Sequence, residues 1–256
     1  MYKTIFNLRN LLVITTCLAA TLMFSTCNSK EDEPDPETEI TTSTETTAEF
    51  DKSNFGLYKG VIAGSSGVIR IEINNGINKV EAYITVDRRM DLLMSASTFT
   101  SGQAIDNAVF TGSFSSFTFS VDADGKNPVI TSINIEEHDN VLATVSKETS
   151  ADVSSCYEGT ATGGNNYKGV FNVVRNNNVY STIIKGNDGS SYLVNGNIDS
   201  SGSFSGTSKT EFNGLDVTMT YSGKFNGNNV TGTWQTSWTG EATGTNSGSF
   251  SGSKTL

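Results

Sequence analysis

The chain contains one histidine, His138, and its neighbours decide which chemistry it could support. It stands in the segment Glu136-Glu137-His138-Asp139-Asn140. A Ser-His-Asp triad needs a histidine as general base, but no Gly-x-Ser-x-Gly nucleophile motif accompanies it. The charged and polar neighbours are typical of a solvated hairpin turn. We therefore expect no hydrolytic triad at His138.

Paired carboxylates are a second kind of chemistry, because a glycosidase needs only two carboxyl groups beside the bond that it cleaves. The candidates by residue type are Glu136, Glu137, Asp139, Asp199 and Asp216. Acidic residues are common in this chain, and most stand in turns or alternate with apolar residues on a wet strand face. A carboxylate-dependent glycosidase is therefore the least favoured of the functions considered.

Metal, cofactor and thiol chemistry are not indicated either. A zinc site needs several His or Cys ligands, and the body offers only His138 and Cys156. The segment Asp122-Ala123-Asp124-Gly125 resembles the opening of a calcium loop, but Ile133 stands at the twelfth position, where a Glu ligand is required. Cys156 has no base beside it, which indicates a buried structural thiol. We expect no metal, no cofactor and no enzymatic activity.

Two aromatic residues near the C-terminus, Trp234 and Trp238, are the candidates for ligand binding. Because they are four residues apart, they share one face of a β-strand. On an outer face they would form a flat platform on which a sugar ring can stack. On an inner face they would instead fill a hydrophobic core, as aromatic residues do in many β-domains. Both interpretations remain open from the sequence.

The N-terminal segment indicates export. Residues 1–26 begin with Lys3 and Arg9, continue into an apolar run of about 14 residues that is too short to span a bilayer, and end in small residues. The segment Phe24-Ser25-Thr26-Cys27 resembles the lipobox of bacterial lipoproteins. That resemblance implies a signal peptide over residues 1–26, cleavage before Cys27 and a membrane anchor through lipid on Cys27.

The residues after Cys27 sharpen this expectation. Lys30, Glu31, Asp32 and Glu33 resemble the acidic export signal of Bacteroidota-type surface lipoproteins. The resemblance implies an outer-membrane location with the body facing the cell exterior. An ordinary acidic linker on a periplasmic lipoprotein is the alternative. No family is identified for the rest of the chain.

The charge of the chain argues against nucleic acid as a partner, and the composition of residues 27–52 predicts a tether. Removing residues 1–26 takes away two of the 17 basic residues and none of the 27 acidic ones, so the mature chain carries a formal net charge of −12. This charge argues against nucleic acid as a partner, since nucleic-acid binding needs clustered Lys and Arg. Residues 27–52 are acidic and almost devoid of apolar side chains, which predicts a flexible tether behind the lipidated cysteine.

Apolar residues on every second position predict β-strands in the body. Ile69, Ile71 and Ile73 show the pattern, as do Phe117, Phe119 and Val121. Asn-Gly and Asp-Gly pairs at frequent intervals predict hairpin turns, and hence an antiparallel meander. One short helix is predicted at residues 88–96.

An internal repeat divides the body in two. Tyr58-Lys59-Gly60 and Tyr157-Glu158-Gly159 lie 99 residues apart, and both halves end in similar segments. We therefore predict two β repeats of about 95 residues, at 53–150 and 151–256, each a small barrel or folded sheet. The motif Gly-x-Phe recurs, and its glycine leaves room for a neighbouring aromatic ring. Its occurrences are Gly112-Ser113-Phe114, Gly202-Ser203-Phe204, Gly223-Lys224-Phe225 and Gly248-Ser249-Phe250.

These patterns lead to a ranked expectation of function. The first hypothesis is a non-catalytic accessory subunit that docks on an outer-membrane protein complex. The second is a glycan-binding protein or adhesin that uses Trp234 and Trp238. The expected partners are the membrane through Cys27, an outer-membrane protein and, under the second hypothesis, a glycan.

Overall fold

The computed structural model describes residues 42–64, 66–212, 214–240 and 243–256, without the side chain of Phe212. The predicted signal peptide (1–26), the lipidation site Cys27 and the export signal Lys30–Glu33 lie outside the described residues. So does the first part of the predicted tether. The structural findings below concern the body and the segment immediately before it.

The first half of the body contains eight antiparallel strands, which follow a single 3-10 turn at Ala48–Phe50. The strands are β1 (Gly56–Ala63), β2 (Gly67–Ile73), β3 (Val80–Val86), β4 (Arg89–Met94), β5 (Ile105–Thr111), β6 (Ser115–Val121), β7 (Val129–Ile135) and β8 (Leu142–Lys147). The sheet order is β7-β6-β5-β4-β3-β2-β1-β8, so the first strand pairs with the last. Such an order is that of an up-and-down barrel.

The second half repeats this plan with eight more antiparallel strands. They are β9 (Ser154–Gly163), β10 (Lys168–Asn176), β11 (Val179–Gly186), β12 (Ser191–Asn197), β13 (Ser203–Phe212), β14 (Leu215–Asn226), β15 (Asn229–Thr239) and β16 (Gly244–Lys254). Their order is β12-β11-β10-β9-β16-β15-β14-β13. The prediction of an all-β antiparallel meander in two similar barrel-like halves of about 95 residues is confirmed.

The repeated tyrosines occupy equivalent places in the two barrels. Tyr58 pairs with Lys147 across β1 and β8, and Tyr157 pairs with Lys254 across β9 and β16. Following the paired residues from Tyr58 across three ladders leads to Leu93 on β4. The same path from Tyr157 leads to Val194 on β12. The two halves can therefore be compared position by position.

The helix predicted at residues 88–96 is wrong, because this segment forms β4. Asp87 and Arg88 have φ angles of 50° and 62°, which turn the chain tightly from β3 into β4. The strand then exposes Met90, Leu92 and Met94 and buries the two residues between them. Apolar side chains thus face solvent while an acid, Asp91, is buried. A search for apolar residues that alternate on a buried face therefore does not detect this strand.

Each barrel has an aromatic core. In the first, the rings of Phe110 and Phe117 stack with centroids 4.9 Å apart. In the second, Gly223 faces inward beneath two rings, and a Cβ there would lie 2.6 Å from Phe204 and 2.8 Å from Phe250. The predicted role of glycine as room for an aromatic ring is confirmed at Gly223.

The two barrels pack against each other through β1, whose residues are buried on both faces. Val61 and Val68 of the first barrel form an apolar cluster with Cys156, Val174 and Leu256. Within it the Cys156 thiol is buried, which raises its pKa. The sequence indicates a structural thiol at this position, and the structure places it in the contact between the halves.

The C-terminal part of the predicted tether is packed against the first barrel. Phe50 is buried, and its ring lies 6.5 Å from that of Phe55. Glu45 forms ion pairs with Lys59 and Arg70 of β1 and β2. The ordered body therefore begins before residue 53, because the acidic segment supplies a carboxylate to a lysine that the sheet buries.

Candidate functional site

A cavity of about 380 Å³ lies at one end of the second barrel. Aromatic, aliphatic and polar side chains from five strands and their connecting turns surround it. The lining residues are Asn165, Tyr167, Ile184, Asn187, Asp188, Ser190, Tyr192, Leu215, Val217, Met219, Trp234, Thr236, Trp238 and Asn246. This volume is in the range of small-molecule sites, which combine an apolar wall with a few polar groups.

Both tryptophans face this cavity from the inner side of β15. Trp234 is 6% exposed and belongs to the core cluster of the second barrel, whereas Trp238 is half-buried and packs at its edge. They therefore form part of the inner wall and not an outer platform. The interpretation that places the tryptophans on an inner face is therefore correct and the outer platform is wrong, and the same side chains also line the cavity.

Glycines opposite the tryptophans make room for their indole rings. A Cβ at Gly163 would lie 2.5 Å from Cζ2 of Trp234, and one at Gly244 would overlap the six-membered ring of Trp238. Each indole thus lies flat along the barrel wall, where a larger residue would push it into the cavity. The glycine positions keep the cavity open.

The indole of Trp234 carries an unsatisfied donor. Its Nε1 atom is buried and has no hydrogen-bond partner among the described residues. Buried indole N–H groups normally find an acceptor. The ring of Tyr167 lies 4.8 Å from that of Trp234 between centroids and shares the cavity wall. The cavity thus offers a bound molecule an aromatic surface, while this N–H stays enclosed in the wall.

The rim of the cavity is polar and carries a single charge among its described lining residues, the carboxylate of Asp188. The backbone N–H and hydroxyl of Ser190 donate to Asp188 Oδ1 at 2.9 and 2.6 Å, which fixes the carboxylate in its turn. Burial and the nearby Asp188 charge raise the pKa of Tyr167 to about 12, so its phenol stays neutral. Neither Lys nor Arg appears among these lining residues, so the charge of Asp188 disfavours an anionic ligand.

The corresponding end of the first barrel is closed by Asp91. Its carboxylate accepts hydrogen bonds from the backbone N–H groups of Ser113, Phe114 and Ser115 at 2.8–3.0 Å, and from the Ser115 hydroxyl at 2.7 Å. A Cβ at Gly112 would overlap this carboxylate, so the first Gly-x-Phe motif makes room for an acid instead of a ring. We call Asp91 and residues 112–115 the Asp91 latch.

The second barrel has no acid at the equivalent position. Asp91 lies two residues before Leu93, and Tyr192 lies two residues before Val194, its counterpart in the second barrel. Tyr192 is buried and lines the cavity. In the first barrel this position therefore carries an acid that is hydrogen-bonded to the residues after β5. In the second barrel it carries an aromatic ring that lines the cavity.

Replacing Asp91 with Asn is expected to lower the free energy of unfolding by about 1.5–3 kcal/mol, because charged hydrogen bonds to four donors are weakened. Burial opposes the charge of Asp91, but hydrogen bonds from Ser115, Ser113 and Phe114 outweigh it and lower its pKa. Its contribution is therefore complete above the unfolded value of about 4 and is lost as the pH falls through the lower folded value. Urea titrations between neutral pH and about pH 3 would measure it. Asp106→Asn, on the exposed side of β5, is the control and should change little.

The other residues singled out from the sequence lie apart from the cavity. His138 is in the turn between β7 and β8, where its Nε2 lies 3.2 Å from Asp87 Oδ2. Glu136, Glu137 and Asp139 are exposed in the same turn. Asp199 accepts hydrogen bonds within the turn between β12 and β13, and Asp216 is exposed on β14.

The candidate calcium loop is a hydrogen-bonded turn. The Gly125 N–H donates to the carbonyl of Asp122, and Asp124 pairs with Lys126 at 2.6 Å. Among the described residues, no group of three or more His, Cys, Asp or Glu side chains is arranged to hold a metal ion.

Sequence reasoning missed Tyr167, Tyr192 and Asp188. Asp188 stands in the Asn187-Asp188-Gly189 turn, which was a clear hairpin signal and gave no hint of a site. Tyr192 alternates with Val194 along β12, so its inward direction was available from the pattern. Only the closure of the barrel brings the three together with the tryptophans.

A second feature lies on the outside of the first barrel. Met90, Leu92 and Met94 of β4 and Val109 of β5 are between 47% and 55% exposed. We call these four residues the apolar stripe. Contiguous exposed apolar side chains are uncommon on soluble surfaces and often mark interaction sites.

Comparison with known proteins gives no relative: no family model, no curated protein and no solved structure matches this chain. Within the described part of the chain, no helix has the length and apolar character needed to cross a membrane.

Proposed function

We propose that this protein is a lipid-anchored, non-catalytic surface protein whose second barrel binds a glycan. The observation that carries the proposal is the cavity whose wall contains Trp234, Trp238 and Tyr167. Aromatic rings stack on the apolar faces of sugar rings, and the Asn, Ser and Thr side chains of the rim match sugar hydroxyl groups. The first barrel, with its filled core and the Asp91 latch, serves as the scaffold.

A glycan array probed with the mature protein tests this function. We expect retention of a neutral glycan, with competition by the same glycan free in solution. An array that retains no glycan, at protein concentrations well above those of typical weak lectin-like binding, would overturn the proposal.

The anchor is supported by the lipobox-like segment that ends at Cys27 and by the export-signal-like segment Lys30–Glu33, which contains three acidic residues. Cys27→Ala is expected to abolish lipid attachment and to release the protein from the membrane fraction, because no other acceptor cysteine follows the apolar segment directly. Fractionation and metabolic labelling with a clickable fatty acid would measure both effects. Cys156→Ala is the control and should leave labelling unchanged. A labelled, membrane-bound Cys27→Ala protein would contradict the anchor.

A second candidate function is docking on an outer-membrane protein, which the apolar stripe favours. Its apolar side chains lie on the first barrel, away from the glycan cavity of the second. A mild-detergent pull-down read by mass spectrometry, comparing the wild type with Leu92→Glu, separates the two functions. A stoichiometric membrane protein that is recovered with the wild type and lost with Leu92→Glu would establish docking. Recovery of a monomer from both would exclude the apolar stripe as a docking surface.

A further inference from the structure

The second barrel is open along one side, between β12 and β13. The two strands are joined by a tight turn, in which the Asp199 N–H donates to the carbonyl of Ser203 at 2.9 Å. Beyond this turn the strands form no ladder, and they are the two ends of the eight-stranded sheet. We call this gap the β12–β13 seam.

The open end of the seam meets the cavity. Tyr192, near the start of β12, and Leu215 and Val217, at the start of β14, stand on opposite sides of it and all line the cavity. The turn after Asn197 holds the strands together at the far end only. The open end of the gap therefore lies beside the cavity.

The inner wall of β13 beside the seam is polar. Ser208 and Thr210 pair with Met219 and Val217, so they share the inward face with these cavity residues. Both hydroxyl-bearing residues are nevertheless partly exposed, whereas the paired Met219 and Val217 are buried. Solvent therefore reaches the inward face of β13 at these two positions, where the strand ends the sheet.

The equivalent side of the first barrel is joined at one point, and the unpaired junction of that barrel lies instead between β7 and β8. β4 and β5 are joined by the pair Met94 and Thr111, and the Asp91 latch ties β4 to the residues that follow β5. In the second barrel Tyr192 replaces the latch, and its seam has neither connection. The seam is therefore a departure from the duplicated plan, at the place where the cavity lies.

We propose that the second barrel binds the end of a linear, uncharged saccharide chain and that the rest of the chain leaves through the β12–β13 seam. This inference rests on the glycan-binding function proposed above. The terminal sugar occupies the aromatic cavity, against the rings of Trp238 and Tyr167. The following sugars pass Ser208 and Thr210, whose hydroxyl groups exchange hydrogen bonds with the chain. A branch at the second sugar would collide with the strands on either side.

Closing the seam by a covalent link tests the inference. Asn195 and Thr207 are exposed and face each other across the seam when the register of the Asp199–Ser203 turn is continued. The double variant Asn195→Cys with Thr207→Cys is prepared as the full lipoprotein in detergent and linked with a short, reducible thiol cross-linker. Cys156 is completely buried and its pKa is raised, so the introduced thiols react selectively.

The probes are linear glucose, mannose and N-acetylglucosamine oligosaccharides, from monosaccharide to hexasaccharide, measured by titration calorimetry. We expect the cross-linked form to bind the tetrasaccharide and hexasaccharide of the preferred series at least about tenfold more weakly than the unlinked form, a difference of about 1.4 kcal/mol. Reduction of the link should restore binding, which also shows that the variant is folded. Monosaccharide and disaccharide binding should not change.

Three results are distinguishable. Equal affinity of the linked and reduced forms for the long saccharides would show that the chain does not leave through the seam. The proposed glycan binding would be unaffected. Equal weakening for chains of every length would also contradict exit through the seam, because the link would then have distorted the cavity itself. If the wild type bound none of these sugars and no array glycan, the proposed function would fail together with the inference.

Discussion

Lys59→Met is expected to lower the free energy of unfolding by about 3–5 kcal/mol, because it leaves a buried carboxylate without its cation. The Lys59 ammonium lies 2.6 Å from Glu45 Oε1 and 2.9 Å from Glu148 Oε2. The side chains of Lys59 and Glu148 are both fully buried. Glu148 also accepts hydrogen bonds from the backbone N–H groups of Glu45 and Ser154, so it cannot turn toward water when the lysine is removed.

Urea denaturation followed by circular dichroism would measure this loss. Lys79→Met is the matched control, since Lys79 is half-exposed and pairs with Glu81 at 3.2 Å, and such pairs contribute about 1 kcal/mol or less. Adding Glu148→Gln to Lys59→Met should recover part of the loss by removing the stranded charge. Equal effects of Lys59→Met and Lys79→Met would show that the buried ion pairs do not hold the segment 45–50 and the two barrels together.

Trp238→Ala is expected to weaken glycan binding by about 30-fold or more, because truncating a tryptophan that anchors a ligand commonly costs 2 kcal/mol or more. Trp238 is only half-buried, so the variant should fold. Trp234 needs a gentler change, since its removal would leave a hole in the core. Trp234→Phe keeps an aromatic ring but removes part of the cavity wall, so we expect a smaller loss of affinity, about threefold to tenfold.

Fluorescence titration gives a direct readout, because the chain contains two tryptophans and each variant leaves one as the reporter. Leu92→Ala, on the outer face of the first barrel, is the control and should bind as the wild type does. Full affinity in both tryptophan variants would place the glycan elsewhere on the molecule.

Much of the fold was predictable because most strands show strict alternation. Ile69, Ile71 and Ile73 face the core of the first barrel as their spacing predicts, and the repeated tyrosines locate the two halves. Prediction failed at β4, where the outward side chains are Met90, Leu92 and Met94 and one inward residue is Asp91. A buried acid is favourable there only because a distant turn supplies its hydrogen bonds, and local patterns contain no information about that turn.

The contact between the barrels and the cavity needed three-dimensional information. The run Leu57–Ala63 is almost continuously apolar, which is typical of a strand buried on both faces, but nothing in it names the partner surface. The tryptophans were recognised as candidates from their spacing. Their direction could not be decided, because core-filling and ligand-binding aromatics have the same sequence pattern. The seam could not be predicted, because it results from a hydrogen-bonded ladder that does not form between β12 and β13. The sequences of both strands show ordinary strand patterns.

The pairing of first and last strands in each half has a consequence for how the protein is made. β1 pairs with β8, and β9 pairs with β16, so neither barrel can close before its final strand has left the ribosome. Contacts between such distant segments make folding slow. The chain must lose the entropy of closing a long loop before the strand pairing can stabilise it. Under the export proposed above, the second barrel would stay unfolded until its synthesis is complete, in an extended form that an export machinery can thread. Its nascent strands would then be exposed, so its yield would depend on chaperones.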